Sequence, residues 1–329
     1  MTNKCNLRCN YCLRNLEQEE NCISTEKLRD IGKFITTYCD EYKIANISVQ
    51  AWGGEPLLEK NKIIALTKFI TPQKTKVHYS IETNATLLTN DVIEELYKNH
   101  IGIGISIDGD RKCHDLQRTF VSGKGSYDTV KKNLLQAQRY YKNKIGTITT
   151  ITKQTAVHIE KIIEHLVLDL HISNIKLNFV HASTYTHGQN QCLNTQEIAD
   201  TELRILYKII ELQERGYDVM EHNIFIKLKN LLFREYTDIC LSCGCCGGKK
   251  MIVFDMDGNI YPCELTDDAS FVIGSIYKKE SLIEQIKMTI DKDKAFFKMK
   301  KAVECEKCYW KFFCRGGCTV RALSEKRQM

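Results

Sequence analysis

The chain has 329 residues, 43% of them hydrophobic, with only three prolines and a net charge of +6. That composition supports one large domain plus a small one and excludes global disorder. No run of about 18 apolar residues occurs, which excludes a transmembrane helix and a membrane partner, and the basic residues are scattered rather than striped, so no nucleic-acid partner is expected.

Cys5, Cys9 and Cys12 open the chain with C-x3-C-x2-C spacing. Three thiolates on one loop can hold three irons of a 4Fe–4S cubane and leave the fourth iron open, whereas a structural zinc site closes with four ligands. There are sixteen cysteines and no signal-peptide pattern before Cys5, so the thiols read as metal ligands in a reducing cytoplasm rather than as a disulfide framework. Each assembled cubane adds roughly one or two negative charges, which cancels most of the basic excess.

Strand and helix patterns alternate over the first 235 or so residues. Candidate helix Ser24–Tyr42 begins at a good cap and is followed by strand Asn46–Trp52, helix Glu59–Ile70, strand Lys76–Glu82 and helix Thr89–Asn99. Strand Ile101–Asp108, helix Ser126–Tyr141, strand Ile145–Ile151, helix Ala156–Leu170, strand Asn174–Val180 and helix Thr195–Arg215 complete the series. Such repetition implies a parallel sheet with helices outside it. Beyond about Thr237 the texture changes: nine cysteines lie between Cys240 and Cys318, with short strands, an Asp257-Gly258 turn and helices over Ser281–Met288 and Asp291–Lys301. The expected domains are 1–235 and 236–329, the second stapled by metal clusters.

Gly53-Gly54-Glu55-Pro56 follows the second strand, at the strand end where barrels place active sites, and glycines there let backbone approach a ligand closely. Ser106 and Asp108 alternate on one face of the fourth strand, and a hydroxyl with a carboxylate suits ribose hydroxyls. Cys22, Cys39, Cys113 and Cys192 fit no ligand spacing and are expected as buried small hydrophobes. Phe233, Trp310 and Phe312 are expected to pack the small domain.

The aromatic residue in Cys9-Asn10-Tyr11-Cys12 makes the triplet resemble the hallmark of radical S-adenosylmethionine (radical SAM) enzymes, whose open iron is chelated by the amino and carboxylate groups of S-adenosylmethionine. The resemblance implies an α/β fold, a partial (β/α)6 TIM-like barrel whose cluster loop follows a first strand; only Met1–Lys4 precede Cys5, so that strand is expected to be truncated or replaced by these four residues. It implies that Gly53, Gly54, Glu55 and Pro56 bind the ammonium of S-adenosylmethionine, and that Tyr11 also lies at the cofactor. Ser80-Ile81-Glu82-Thr83-Asn84 is similar to the QTNG segment of peptide-modifying members, with Glu82 where Gln is common and Ala85 where Gly is common; Glu82 and Asn84 are cofactor-site candidates on that basis. Arg118, in His114-Asp115-x-x-Arg118, is the candidate for the S-adenosylmethionine carboxylate, which a guanidinium grips in bidentate fashion.

The tail resembles the SPASM domain, which binds auxiliary 4Fe–4S clusters. By that resemblance the first auxiliary cluster takes Cys246, Cys263, Cys318 and one of Cys240, Cys243 or Cys245, with Cys240 favoured. The second takes Cys305, Cys308 and Cys314, its fourth ligand being absent from a C-terminally incomplete domain. A zinc ribbon from Cys305, Cys308, Cys314 and Cys318 is the alternative. Glu264 stands where sulfatase maturases carry an Asp base, which makes it a catalytic candidate. The implied function is a radical SAM oxidoreductase that modifies a ribosomally made peptide, by thioether or carbon–carbon crosslinking, with ferredoxin or flavodoxin as electron donor. The alternatives are an anaerobic sulfatase maturase forming formylglycine, and a non-catalytic cluster- or zinc-binding module.

Overall fold

The computed structural model describes residues 1–12, 21–142, 144–180, 191–235, 245–266, 269–291 and 306–320. Cys240, Cys243 and Cys305, with nearly all of the helix expected over Asp291–Lys301, lie outside the described residues.

The first strand, β1 (Leu7–Cys9), is followed by α1 (Thr25–Glu41), β2 (Asn46–Ala51), α2 (Lys60–Phe69), β3 (Lys76–Thr83), α3 (Asn90–Lys98) and β4 (Ile101–Ser106). Then come α4 (Arg111–Gln117), β5 (Arg118–Phe120), α5 (Tyr127–Tyr141), β6 (Gly146–Ile151), α6 (Lys153–Ala156), α7 (Ile159–Glu164), β7 (Asn174–Phe179), α8 (Thr195–Glu214) and β8 (Met220–Glu221). Ser24 caps α1 by accepting from the Lys27 amide at 3.1 Å, as its sequence position predicts, whereas the Thr89 side chain makes no capping bond on α3.

Six strands pair in parallel in the order β2-β3-β4-β6-β7-β8. Because sequence order and spatial order agree, right-handed crossovers send every connecting helix to the same face. Strand β4 shows the consequence: Ile101, Ile103 and Ile105 are buried, while Gly102, Gly104 and Ser106 face the other side. Even-numbered residues of β3, β6 and β7 share that open face, since side chains alternate and the pairing keeps parity. The helix-facing core includes Ile81, Ile105, Ile107, Leu134, Ile151, Ile159 and Ile162, all fully buried, and each such side chain contributes about 1.5–3 kcal/mol.

Three features depart from the sequence reading. The helix expected over Ala156–Leu170 starts earlier, at a reciprocal cap in which the Thr155 hydroxyl accepts from the Thr152 amide and Thr152 from that of Thr155, then breaks between α6 and α7. Its last turn widens, with the Leu170 amide donating to the His165 carbonyl. Second, β8 adds a sixth strand, two residues long and so without a readable period. Third, β1 and β5 form a separate antiparallel pair that sets Cys9 opposite Arg118.

Contacts divide the chain into two compact units, Met1–His222 and Asn223–Met329, so that α9 (His222–Phe233) falls almost wholly in the second. That unit holds an antiparallel sheet of β9 (Val253–Phe254), β10 (Asn259–Tyr261) and β11 (Gly274–Ser275), then α10 (Leu282–Asp291) and α11 (Lys311–Cys314). The expected Asp257-Gly258 turn joins β9 to β10: Asp255 Oδ1 accepts the Asp257 and Asn259 amides at 2.8 Å, and Gly258 takes φ +82°. The packing expected of Phe233, Trp310 and Phe312 is not found; they are 68%, 53% and 76% exposed. Among the unassigned cysteines, Cys39 and Cys113 are buried as expected, Cys192 is half-buried, and Cys22 is exposed and accepts from Lys62 Nζ.

Candidate active site

The cysteine loop is held from three sides. Met1–Lys4 run beside the end of β2, with the Gly54 amide donating to the Thr2 carbonyl and the Glu55 amide to the Lys4 carbonyl, both at 2.8 Å. These four residues therefore do the work of an edge strand. A Cβ on Gly53 would lie 2.2 Å from the Thr2 carbonyl oxygen, so the close approach that the glycine permits is made by the chain itself. On the second side, the pairing of β1 with β5 continues through the Asn10 amide, which donates to the Gln117 carbonyl at 3.0 Å. On the third, Asn84 Nδ2 donates to Asn6 Oδ1 at 2.9 Å and lies 3.9 Å from Cys5 Sγ.

Glu55 is 1% exposed. Its Oε1 accepts from the Thr83 hydroxyl at 2.6 Å and the Leu57 amide at 3.0 Å, and its Oε2 from the Asn84 amide at 2.8 Å. Burial raises its pKa, against those three donors. The side chain thus ties the end of β2 to the end of β3, and a single turn behind it starts with buried Pro56 and Leu57. Ala85, where the resembled family has Gly, sits at φ +58° and is fully buried; the left-handed conformation explains why glycine suits that position.

Asp108 is fully buried. Its Oδ2 accepts from Tyr11 OH at 2.7 Å, Arg118 Nε at 2.8 Å and Gln117 Nε2 at 3.2 Å, and its Oδ1 from the Thr150 amide at 2.9 Å. Three of these donors meet at Oδ2 and one reaches Oδ1. Asp108 is thereby the hub that joins the cysteine loop, β4, β5 and β6. Ser106 differs, because its hydroxyl faces the open side of the sheet with no hydrogen bond among the described residues.

Arg118 lies over the Tyr11 ring at 5.3 Å, and among the described residues only its Nε is hydrogen-bonded. Burial opposes its charge, but Asp108, Tyr11 and Cys9 outweigh burial and hold its pKa well above the usual value. The two terminal nitrogens thus keep a free fork. Burial likewise pushes the Cys9 thiol up to about 12, with Arg118 pulling the other way. Behind the hub, His114 Nδ1 accepts from the Asp108 amide at 3.2 Å, and its Nε2 meets Ser126 Oγ at 2.9 Å.

Residues 1–166 match the radical SAM superfamily. The chain belongs to that family. A cysteine-type anaerobic sulfatase-maturating enzyme of Clostridium novyi (strain NT) is 26% identical over 327 residues, covering 96% of this chain and 85% of its own. The fold is shared with anSMEcpe carrying AdoMet and the Cp18Cys peptide (TM-score 0.82, 21% identity, 99% of this chain and 92% of that one). It is also shared with Streptococcus suis SuiB bound to its precursor peptide SuiA (TM-score 0.70, 18% identity, 99% and 72%).

The loop suits the radical SAM cofactors. Ligands of a single zinc ion stand about 4 Å apart, given bonds of about 2.3 Å, and among the described residues no three His, Cys, Asp or Glu side chains fit a single metal ion. Cys5 and Cys12 are among the charges that the Cys9 thiol feels, and a cubane takes one thiolate per iron. Among the described residues, Asn10 Oδ1 and Gln117 Oε1 are buried beside the loop without partners and the Arg118 fork is uncommitted. Cys5, Cys9 and Cys12 would hold the cluster. When bound, the cluster and S-adenosylmethionine supply the electron and the carbon-centred radical that this family uses. The chain's own part is to brace the loop through Asp108 and Glu55 and to keep a positive charge beside Cys9. Gln117 was invisible as a site residue in the sequence, hinted at only by its place directly before Arg118; Thr83 lay inside the QTNG-like segment without a role of its own.

In the second unit the Gly248 amide donates to the Pro262 carbonyl at 3.1 Å, tying the turn after buried Cys246 to the residue before buried Cys263. Burial pushes the Cys263 thiol up to about 12, and Cys245 is among the charges it feels. Val320 packs on the Tyr261–Phe271 cluster together with Cys245, which draws the Cys318 end of the chain to the same hairpin. Cys308 and Cys314 flank α11, where the Lys311 amide donates to the Cys308 carbonyl at 3.2 Å, and both are exposed. Glu264 is exposed beside Cys263.

Proposed function

We propose that the protein is a maturase that uses radical SAM chemistry to modify a side chain of a peptide or protein. The observation that carries this reading is the joint brace at the cysteine loop, where Arg118 is held beside Cys9 with its fork uncommitted and Glu55 fixes the turn after β2. Relatives over nearly the whole chain are maturases, and neighbours in fold hold peptides. One of Cys240, Cys243 or Cys245, with Cys240 favoured, would join Cys246, Cys263 and Cys318 on one auxiliary cluster, and Cys305, Cys308 and Cys314 would serve a second. A ferredoxin or flavodoxin is the proposed electron donor, and Glu264 the proposed base.

Two products fit. Crosslinking of a ribosomally made peptide is supported by the Tyr261-Pro262-Cys263-Glu264-Leu265-Thr266-Asp267 run, which resembles peptide maturases, and oxidation of a Cys or Ser to formylglycine by the sulfatase-maturating relatives. The test is anaerobic reconstitution with iron, sulfide, reductant and S-adenosylmethionine, reading 5′-deoxyadenosine. A chain that binds its clusters but releases none refutes the proposal. Peptide mass and fragmentation then separate a crosslink from formylglycine.

A further inference from the structure

The open face of the sheet carries a trough that the cofactor brace does not use. Register aligns Glu82 with Gly104, Gly104 with Gly146, and Gly146 with Asn174; the Ile148 side chain reaches over Gly104, whose Cβ would lie 2.6 Å from Ile148 Cδ1, and Gly146 leaves its own place in the row open. Above this floor lies a cavity of about 190 Å³, bounded by Glu82 on one side and by Lys176 and His222 on the other. A Cβ on Gly146 would make only ordinary contacts, nearest at 3.6 Å, so the glycine is not demanded by the fold there.

Glu82 and Lys176 are half-buried, and among the described residues neither has an ion pair or hydrogen bond. A partly desolvated charge without a partner is costly, and a ligand of opposite charge relieves it. The two stand on strands three spacings apart, about 14 Å across the sheet. An extended chain covers that span in about four residues at about 3.3 Å each. The space is below the range of about 300–1,000 Å³ usual for enclosed small-molecule pockets.

We propose that the trough between Glu82 and Lys176 is a charge-reading subsite for an extended stretch of the polypeptide substrate, one whose acidic and basic side chains stand about four residues apart. Lys176 takes the acidic side chain and Glu82 the basic one, with the backbone between them passing over Ile148 and the room left at Gly146. The inference rests on the polypeptide-maturase reading above and adds the substrate's charge pattern to it.

The test is fluorescence anisotropy on the reconstituted full chain with labelled Gly/Ala/Asn peptides. They differ only at two positions four apart, which carry Asp and Lys, Lys and Lys, or Asn and Gln. The unaltered protein is expected to bind the Asp/Lys peptide about tenfold more tightly than the neutral one. Lys176→Glu, which makes both walls acidic, is expected to bind the Lys/Lys peptide best, a gain that misfolding cannot produce. Equal binding of all peptides, or an unchanged preference in Lys176→Glu, overturns the proposal. Deoxyadenosine measured on the same preparations separates the two readings. Its formation without charge discrimination sinks the subsite and leaves the maturase standing; discrimination without deoxyadenosine does the reverse.

Discussion

Asp108→Asn tests the hub of the site. The substitution keeps shape but removes the charge that faces Arg118, and it places an amide where Tyr11, Gln117, Arg118 and the Thr150 amide all donate. At most one carboxamide oxygen remains to accept, so some donors lose their partner and a buried guanidinium is left uncompensated. Breaking one side of a buried ion pair costs about 3–5 kcal/mol, a large part of the 5–15 kcal/mol that holds a typical domain together. The local bonds are coupled, so the figure is not multiplied by their number. At about 2–4 °C per kcal/mol for a unit of this size, the melting temperature should fall by about 10 °C. Asp108→Asn with Arg118→Met removes both charges and should recover part of that loss. The assay is urea and thermal unfolding of the single variants and the double variant. A loss under about 1 kcal/mol, or a double variant no better than the sum of the singles, would show that the pair is not the brace described.

Gly53→Ala should push Thr2 away and weaken the two backbone bonds that Gly54 and Glu55 donate to it and to Lys4, at about 1 kcal/mol each; amide hydrogen exchange at those residues reads it, and iron retained after desalting should fall. Cys12→Ala should lower bound iron by about the four atoms of one cubane, with iron held by the tail unchanged, checked by iron analysis and electron paramagnetic resonance. His114 is fully buried, and burial lowers its pKa from 6.5 to about 4. The unfolded chain therefore binds the proton first, so the stability contributed by neutral His114 is complete above about pH 6.5 and is lost as pH falls toward 4, about 3 kcal/mol in all. His114→Gln should flatten that part of the profile in urea unfolding at stepped pH; an unchanged acid slope would show that the imidazole is not held neutral.

Sequence alone determined the parts of this protein whose physics is local. Short β-branched runs alternating with amphipathic stretches set five of the parallel strands within a residue or two of their ends, because side-chain period is a property of contiguous residues. The Cys5, Cys9 and Cys12 spacing likewise carried its chemistry without a fold around it. Tertiary structure decided what depends on partners distant in the chain. Glu55 and Asp108 read as ligand contacts in the sequence, and the fold adds donors 28 and 10 residues away in the chain at Thr83 and Arg118. The three-residue β1 and β5 have no period to read, yet their pairing alone puts Arg118 beside Cys9. The same holds for the open face: Glu82 stood out in the sequence only as a cofactor-site candidate and Gly104, Gly146 and Lys176 not at all, and the register of three strand pairs lines them into one trough.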